Sequence, residues 1–118
     1  MDDVDPGEER FDRLVSEVLD ALPDDIATLM SNVAVTVDDE PPAGQPLLGL
    51  YQGVPLTSRG PYYRGTLPDK ITIYRGPIER MTGGDPEFLR AQVRRVVLHE
   101  IAHHFGISDE RLVEMDRY

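Results

Sequence analysis

Residues 96–109, VVLHEIAHHFGISD, decide how the rest of the chain is read. They contain all three histidines of the sequence, His99, His103 and His104. On an α-helix, His99 and His103 stand one turn apart, about 6 Å along the axis and on one face. Two neutral imidazoles so placed can bind one Zn²⁺ at about 2.1 Å each. Glu100 lies about 60° round the helix from His103, within reach of a metal-bound water without being a ligand. Metal-assisted hydrolysis needs this equipment: two fixed nitrogens, an open coordination position, and a carboxylate to take the water's proton. His104 points about 100° away from His103 and is expected to interact with the helix C-terminus rather than with metal.

A third protein ligand is required, and the residues after His103 limit the choice. Gly106 can end the helix in the left-handed conformation and turn the chain back. Asp109 follows three residues later and can bring a carboxylate to the metal from the far side of that turn. Glu110 and Glu114 are the carboxylate alternatives, with Asp116 behind them.

On the N-terminal side, Asp85 caps a helix expected over Pro86–His104, with Pro86 at its first position and Glu87 near its positive end. Its apolar residues Phe88, Leu89, Val93, Val96, Val97, Leu98, Ile101 and Phe105 are spread nearly all round, the pattern of a helix enclosed by other elements. Burial of the two histidines would be costly without a ligand, which favours a metal. The segment KITIYR, Lys70–Arg75, reads as a strand stopped by Gly76-Pro77, and Ile78–Met81 as a turn or short helix before Gly83-Gly84. Leu47–Gln52 and Asn32–Val37 are further strands, the latter ended by Pro41-Pro42. Residues 8–22 carry Phe11, Leu14, Val15, Val18, Leu19 and Leu22 at helical spacing. Pro23 starts a short helix through Met30. Residues 53–69 read as a long surface loop. Its Tyr62 and Tyr63 are secondary candidates for substrate binding, as hydrogen-bond donors to a tetrahedral intermediate, with ordinary packing as the alternative. Ser108 caps a last helix over Asp109–Asp116.

The 118 residues suit one domain, with residues 1–7 an acidic, disordered tail. There is no cysteine, so neither disulfides nor a Cys-based zinc site is possible. The acidic start lacks the apolar stretch of a signal peptide, and no apolar run reaches a membrane span; the expected location is the cytoplasm. A formal net charge of −10 argues against nucleic acid as partner and favours basic peptides at long range, with solubility alone as the commoner reason for such a charge.

The pattern His99-Glu100-x-x-His103-x-x-Gly106-x-x-Asp109 resembles the zincin metallopeptidases, in the branch where Asp replaces a third His. With LLGLYQGVPL, LPDKITIYRGPIE and VVLHEIAHHFGISDERL around it, residues 32–113 resemble the minimal zincins, small bacterial zincin-like zinc metallopeptidases. The resemblance implies an α+β, reduced zincin-like fold: a small mixed sheet packed with the N-terminal helix and a buried HExxH active-site helix. It further implies that Lys70–Arg75 forms the cleft edge, where an extended peptide adds as a further strand. The methionine turn of larger metzincins has only Met115 to supply it here. The function expected is zinc-dependent hydrolysis of peptide bonds through a metal-activated water. One Zn²⁺ per chain would be held by His99, His103 and Asp109, with Glu100 as general base, in a monomer acting on a peptide or protein. The rivals are a catalytically silent metal-binding protein whose cleft holds a peptide or protein partner, and a purely structural zinc site.

Overall fold

Helix α4, Pro86–Phe105, is the element on which the others rest. The computed structural model describes residues 6–53 and 69–116. In chain order these form α1 (Pro6–Asp20), α2 (Asp24–Leu29), β1 (Val33–Asp38), β2 (Gly49–Gln52), β3 (Asp69–Tyr74), α3 (Arg75–Thr82), α4 and α5 (Asp109–Asp116). Tyr62 and Tyr63, with most of the expected 53–69 loop, lie outside the described residues. Helix α1 begins at Pro6, two residues before the apolar pattern indicates, and ends at Asp20.

The start of α4 follows its local chemistry. The Asp85 carboxylate accepts from the Phe88 backbone N–H at 2.9 Å, and Pro86 occupies the first turn. That cap contributes about 1 kcal/mol. Fully burying Val93, Val97 and Ile101 contributes roughly 1.5–3 kcal/mol each, so packing rather than capping holds the helix. Those side chains join one core with Phe11, Val15 and Val18 of α1, Ile26 of α2, Ile71 and Ile73 of β3, Ile78 of α3 and Leu112 of α5. The enclosure is not complete: Phe88 and Phe105, at the two ends of α4, stay exposed.

The three strands form a mixed sheet in the order β1-β3-β2. β1 runs parallel to β3, pairing Val33 with Asp69 through Asp38 with Tyr74. β2 runs antiparallel, pairing Gly49 with Ile73 and Gln52 with Lys70. Ile71, Thr72, Ile73 and Tyr74 are all buried, as a strand covered on both faces requires. The buried Thr72 hydroxyl is satisfied across the sheet by that of Thr36, 3.4 Å away. β3 therefore lies in the middle of the sheet. The expectation that Lys70–Arg75 forms the cleft edge is corrected: both sides of β3 are hydrogen-bonded, and among the described residues β2 is an edge strand, packed against α4.

β3 also passes into α3 without a connecting loop. Gly76-Pro77 falls in the first turn of α3, where a proline lacks a needed donor least, so it starts a helix rather than only stopping a strand. Arg75 at this junction reaches Asp39 beyond β1 (3.1 Å), Glu8 of α1 (3.6 Å) and Glu79 of α3 (3.5 Å). Among the described residues no helix is long and apolar enough to cross a membrane.

Candidate metal centre

His99 and His103 occupy successive turns on one face of α4, with ring centroids 6.4 Å apart and planes inclined by 33°. His99 and Glu100 are half-buried and His103 is exposed. The burial expected for this pair is thus not found. α4 is buried along Val93, Val96, Val97, Leu98, Ile101 and Ala102, and the histidines stand on the face that opens to solvent. Desolvation therefore does not force a metal on them; their argument rests on spacing and chemistry. Two imidazoles on one ion at about 2.1 Å bring their centroids to about 5 Å. Side-chain rotation of these partly exposed rings closes the remaining distance, so the pair fits a zinc ion.

The end of α4 is built as its sequence indicates. Gly106 takes a left-handed conformation (φ 67°, ψ 30°), and the Ile107 N–H donates to Ala102 O at 2.9 Å. This closing turn satisfies carbonyls that the helix end would otherwise leave bare. Ile107 packs against the core, and the Ser108 hydroxyl accepts from the Arg111 N–H at 3.1 Å, capping α5. Three residues separate α4 from α5, and Asp109 is the first residue of α5. Its side chain, like that of Asp116, lies outside the described residues.

Neither described alternative for a third ligand converges with the two histidines. Glu110 is exposed. Glu114 accepts from Arg111 at 3.3 Å and lines a concavity of about 650 Å³ with Leu22, Pro23 and Asp24 that no histidine borders. Among the described residues no three His, Asp or Glu side chains converge.

The histidine face borders two concavities. One, of about 400 Å³, is lined by Leu47, Leu48 and Gly49 leading into β2, by Met81 of α3, and by Gln92, Arg95, Val96, His99 and Glu100 of α4. The other, of about 370 Å³, lies on the α5 side between Arg94, Arg95, Leu98 and His99 and the pair Leu112 and Val113. His99 and Arg95 form the ridge between them. The first cleft depends on a glycine. A Cβ at Gly49 would sit 2.5 Å from Val96 Cγ1, 3.2 Å from Thr72 O and 3.8 Å from Glu100 Cγ. Only a residue without a side chain lets β2 lie this close to α4 beside Glu100.

Beyond His103 a second polar group ties the sheet to α4. Tyr51 of β2 donates its hydroxyl to Asp69 Oδ2 at 2.8 Å. His104 stacks on the Tyr51 ring, centroids 3.9 Å apart, with Nε2 3.5 Å from the same Asp69 oxygen. The expectation that His104 serves the helix C-terminus is therefore replaced by a partner on the sheet. Burial, and then the neighbouring Asp69, push the Tyr51 phenol above its ordinary pKa.

Sequence reasoning missed Gly49, Tyr51, Asp69 and Arg95 as parts of this region. Gly49 carried a usable signal, a glycine inside an apolar strand. Arg95 carried another, its place one turn before His99. Tyr51 and Asp69 carried none, being 18 residues apart and joined only by the register of β2 on β3.

A family described as zincin-like metallopeptidase matches residues 30–118. No curated protein matches the chain. Among solved structures, a conserved hypothetical protein from Thermo thermophilus is similar, with 27% sequence identity and a TM-score of 0.56. The likeness covers 84% of this chain and 94% of that one.

Proposed function

From the premise that the chain belongs to the zincin-like metallopeptidase family, we propose that it is a zinc-dependent peptidase, its whole length acting as one domain and a monomer. His99, His103 and Asp109 hold one Zn²⁺, and Glu100 is the general base. The observation that carries this reading is the α4 face itself. Two imidazoles lie on successive turns, and Glu100 beside them lines a cleft bordered by the approach to β2. Zn²⁺, when bound, supplies Lewis acidity that polarises a carbonyl and brings the pKa of water towards neutrality.

The chain's own groups do the rest. Glu100 Oε accepts the proton of the attacking water and returns it to the leaving nitrogen, so the carboxylate ends the cycle as it began. Glu100 is half-buried beside Gly49 and lines the cleft. Among the described residues no strand pairs with the outer side of β2, and an extended peptide can align along it. The Gly106 turn, held by Ile107 N–H to Ala102 O, delivers Asp109 to the start of α5, within a few residues of His103. The chain has no cysteine, which suits action in the reducing cytoplasm.

The test separates holding metal from using it. Purified protein is expected to take up close to one Zn²⁺ per chain. His99→Ala and His103→Ala should each abolish stable uptake, and Asp109→Ala should weaken it. Glu100→Gln should keep the zinc and lose hydrolysis of a peptide library. Full zinc affinity in the His99→Ala/His103→Ala double variant removes the reading altogether. Stoichiometric zinc with no turnover of any peptide by the wild type would instead make the protein a silent metal-dependent binder.

A further inference from the structure

We propose that Arg95 makes the cleft selective for peptides that carry a carboxylate near the bond attacked. The proposal deepens the peptidase reading and rests on it for the meaning of "substrate". Arg95 lies one helical turn, about 6 Å, before His99 on the same face of α4. It is exposed, and it lines both concavities that flank His99.

No carboxylate of the described residues neutralises it. Along α4 its neighbours at three and four residues are Ala91, Gln92, Leu98 and His99. Four other arginines are engaged: Arg75 with Asp39, Glu8 and Glu79, Arg80 with Glu40, Arg90 with Glu17, and Arg111 with Glu114. Arg10 and Arg13 form no such pair among the described residues, but they stand on α1 and line neither concavity. In a chain of net charge −10, a cation that pairs with no carboxylate of the described residues, beside the reacting groups, points to an anionic ligand.

The composition by itself favours basic peptides, because the summed charge repels acidic ones. At physiological salt that field is screened beyond about 8 Å, and the nearest charge decides. Along the cleft floor the charged groups are Arg95 and Glu100, five residues and therefore about 7.5 Å apart along the axis. A carboxylate placed one or two residues from the scissile bond, at about 3.3 Å per extended residue, meets Arg95 rather than Glu100. Asp or Glu side chains and a free peptide C-terminus offer the same group, and guanidinium binds either through paired N–H donors.

The probes are fluorescein-labelled Ala/Leu hexapeptides with one Asp or Asn at each position in turn, each with a free or an amidated C-terminus. Binding is read by anisotropy on the zinc-loaded Glu100→Gln protein, and cleavage on the zinc-loaded wild type. At low salt, one Asp position or the free C-terminus should bind about tenfold tighter than its neutral match, the advantage shrinking in 0.5 M NaCl. Arg95→Gln should erase the difference, and Arg95→Glu should transfer it to the matching Lys peptide. Loss on amidation identifies the terminal carboxylate, and loss on Asp→Asn exchange the side chain. The inference is overturned if the preference survives in Arg95→Gln, if no position shows it, or if no acidic peptide binds. Cleavage without carboxylate preference leaves the peptidase reading standing and removes this one. Binding with the Arg95-dependent preference but no zinc-dependent cleavage does the reverse.

Discussion

Gly49→Ala tests the contact that sets the width of the cleft. The added methyl would lie 2.5 Å from Val96 Cγ1 and 3.2 Å from the Thr72 carbonyl oxygen. Val96 cannot swing aside, because a β-branched residue in a helix has essentially one χ1 rotamer and this one is buried. Thr72 O is backbone of the central strand and is equally fixed. β2 must therefore move away from α4 by roughly 1 Å, an overpacking that costs about 1–3 kcal/mol. Restricting the unfolded chain returns about 0.4–1 kcal/mol, leaving a net loss of about 0.5–2 kcal/mol. At about 2.1 cal/mol/K per residue, the 118 residues give roughly 4 °C per kcal/mol, so the midpoint should fall by about 2–8 °C. Circular dichroism melts of the zinc-free protein measure it without interference from metal. Val96→Ala in the same chain removes the clashing methyl, so the double variant should be more stable than the two single losses added together. An unchanged or raised midpoint in Gly49→Ala would show that β2 does not lie on α4 as described.

Three further expectations can be checked with the same material. If zinc binds only the folded chain, a hundredfold excess over its dissociation constant adds about 2.7 kcal/mol, so melts with and without chelator should separate; coincident midpoints would place the metal outside the folded site. Gly106→Ala forces a Cβ into a left-handed residue at φ 67° and should lower stability by about 1–2 kcal/mol in urea titrations, whereas no loss would mean the turn is not the one described. The raised Tyr51 phenol keeps its proton in the fold beyond the pH at which an unfolded tyrosine loses it. Its contribution is therefore complete below about pH 10 and declines as pH rises further. Tyr51→Phe should flatten that alkaline decline, and an identical pH profile would show that the Asp69 contact carries no coupling.

Much of this was legible in the sequence because its determinants are local. Asp85-Pro86 and Gly106 bracket α4 through a cap, a preset φ and a left-handed turn, each a property of one or two residues. Ser108 before α5 is of the same kind. What failed depended on distant partners. The expectation for Lys70–Arg75 is a cleft edge, and nothing local to Ile71 and Ile73 says that Thr72 and Tyr74 will also be covered. That follows only from β1 arriving in parallel on one side and β2 on the other, which places the strand in the middle of the sheet. The histidine pair failed in the opposite direction. An apolar pattern round most of α4 suggested burial, but the elements that cover the helix leave the face of His99 and His103 open. Tyr51, Asp69 and His104 meet only because register brings them together.

The central position of β3 also has a kinetic consequence. Its antiparallel partner lies close along the chain, with Gln52 and Lys70 only 18 residues apart. Its parallel partner is more remote, with Thr36 and Thr72 separated by 36. Doubling the loop raises the entropy of closure by only about 0.6 kcal/mol. That increment is still enough to favour the order in which the hairpin-like pair of β2 and β3 forms first and β1 docks onto it afterwards. A strand that docks after the transition state leaves its substitutions on the unfolding limb. Shortening Val35 or Val37 should hasten unfolding while barely slowing folding, and shortening Ile71 or Ile73 should do both. The histidine helix packs on the early pair, β2 and β3, so the face that holds the candidate ligands can be assembled before the far edge of the sheet is closed.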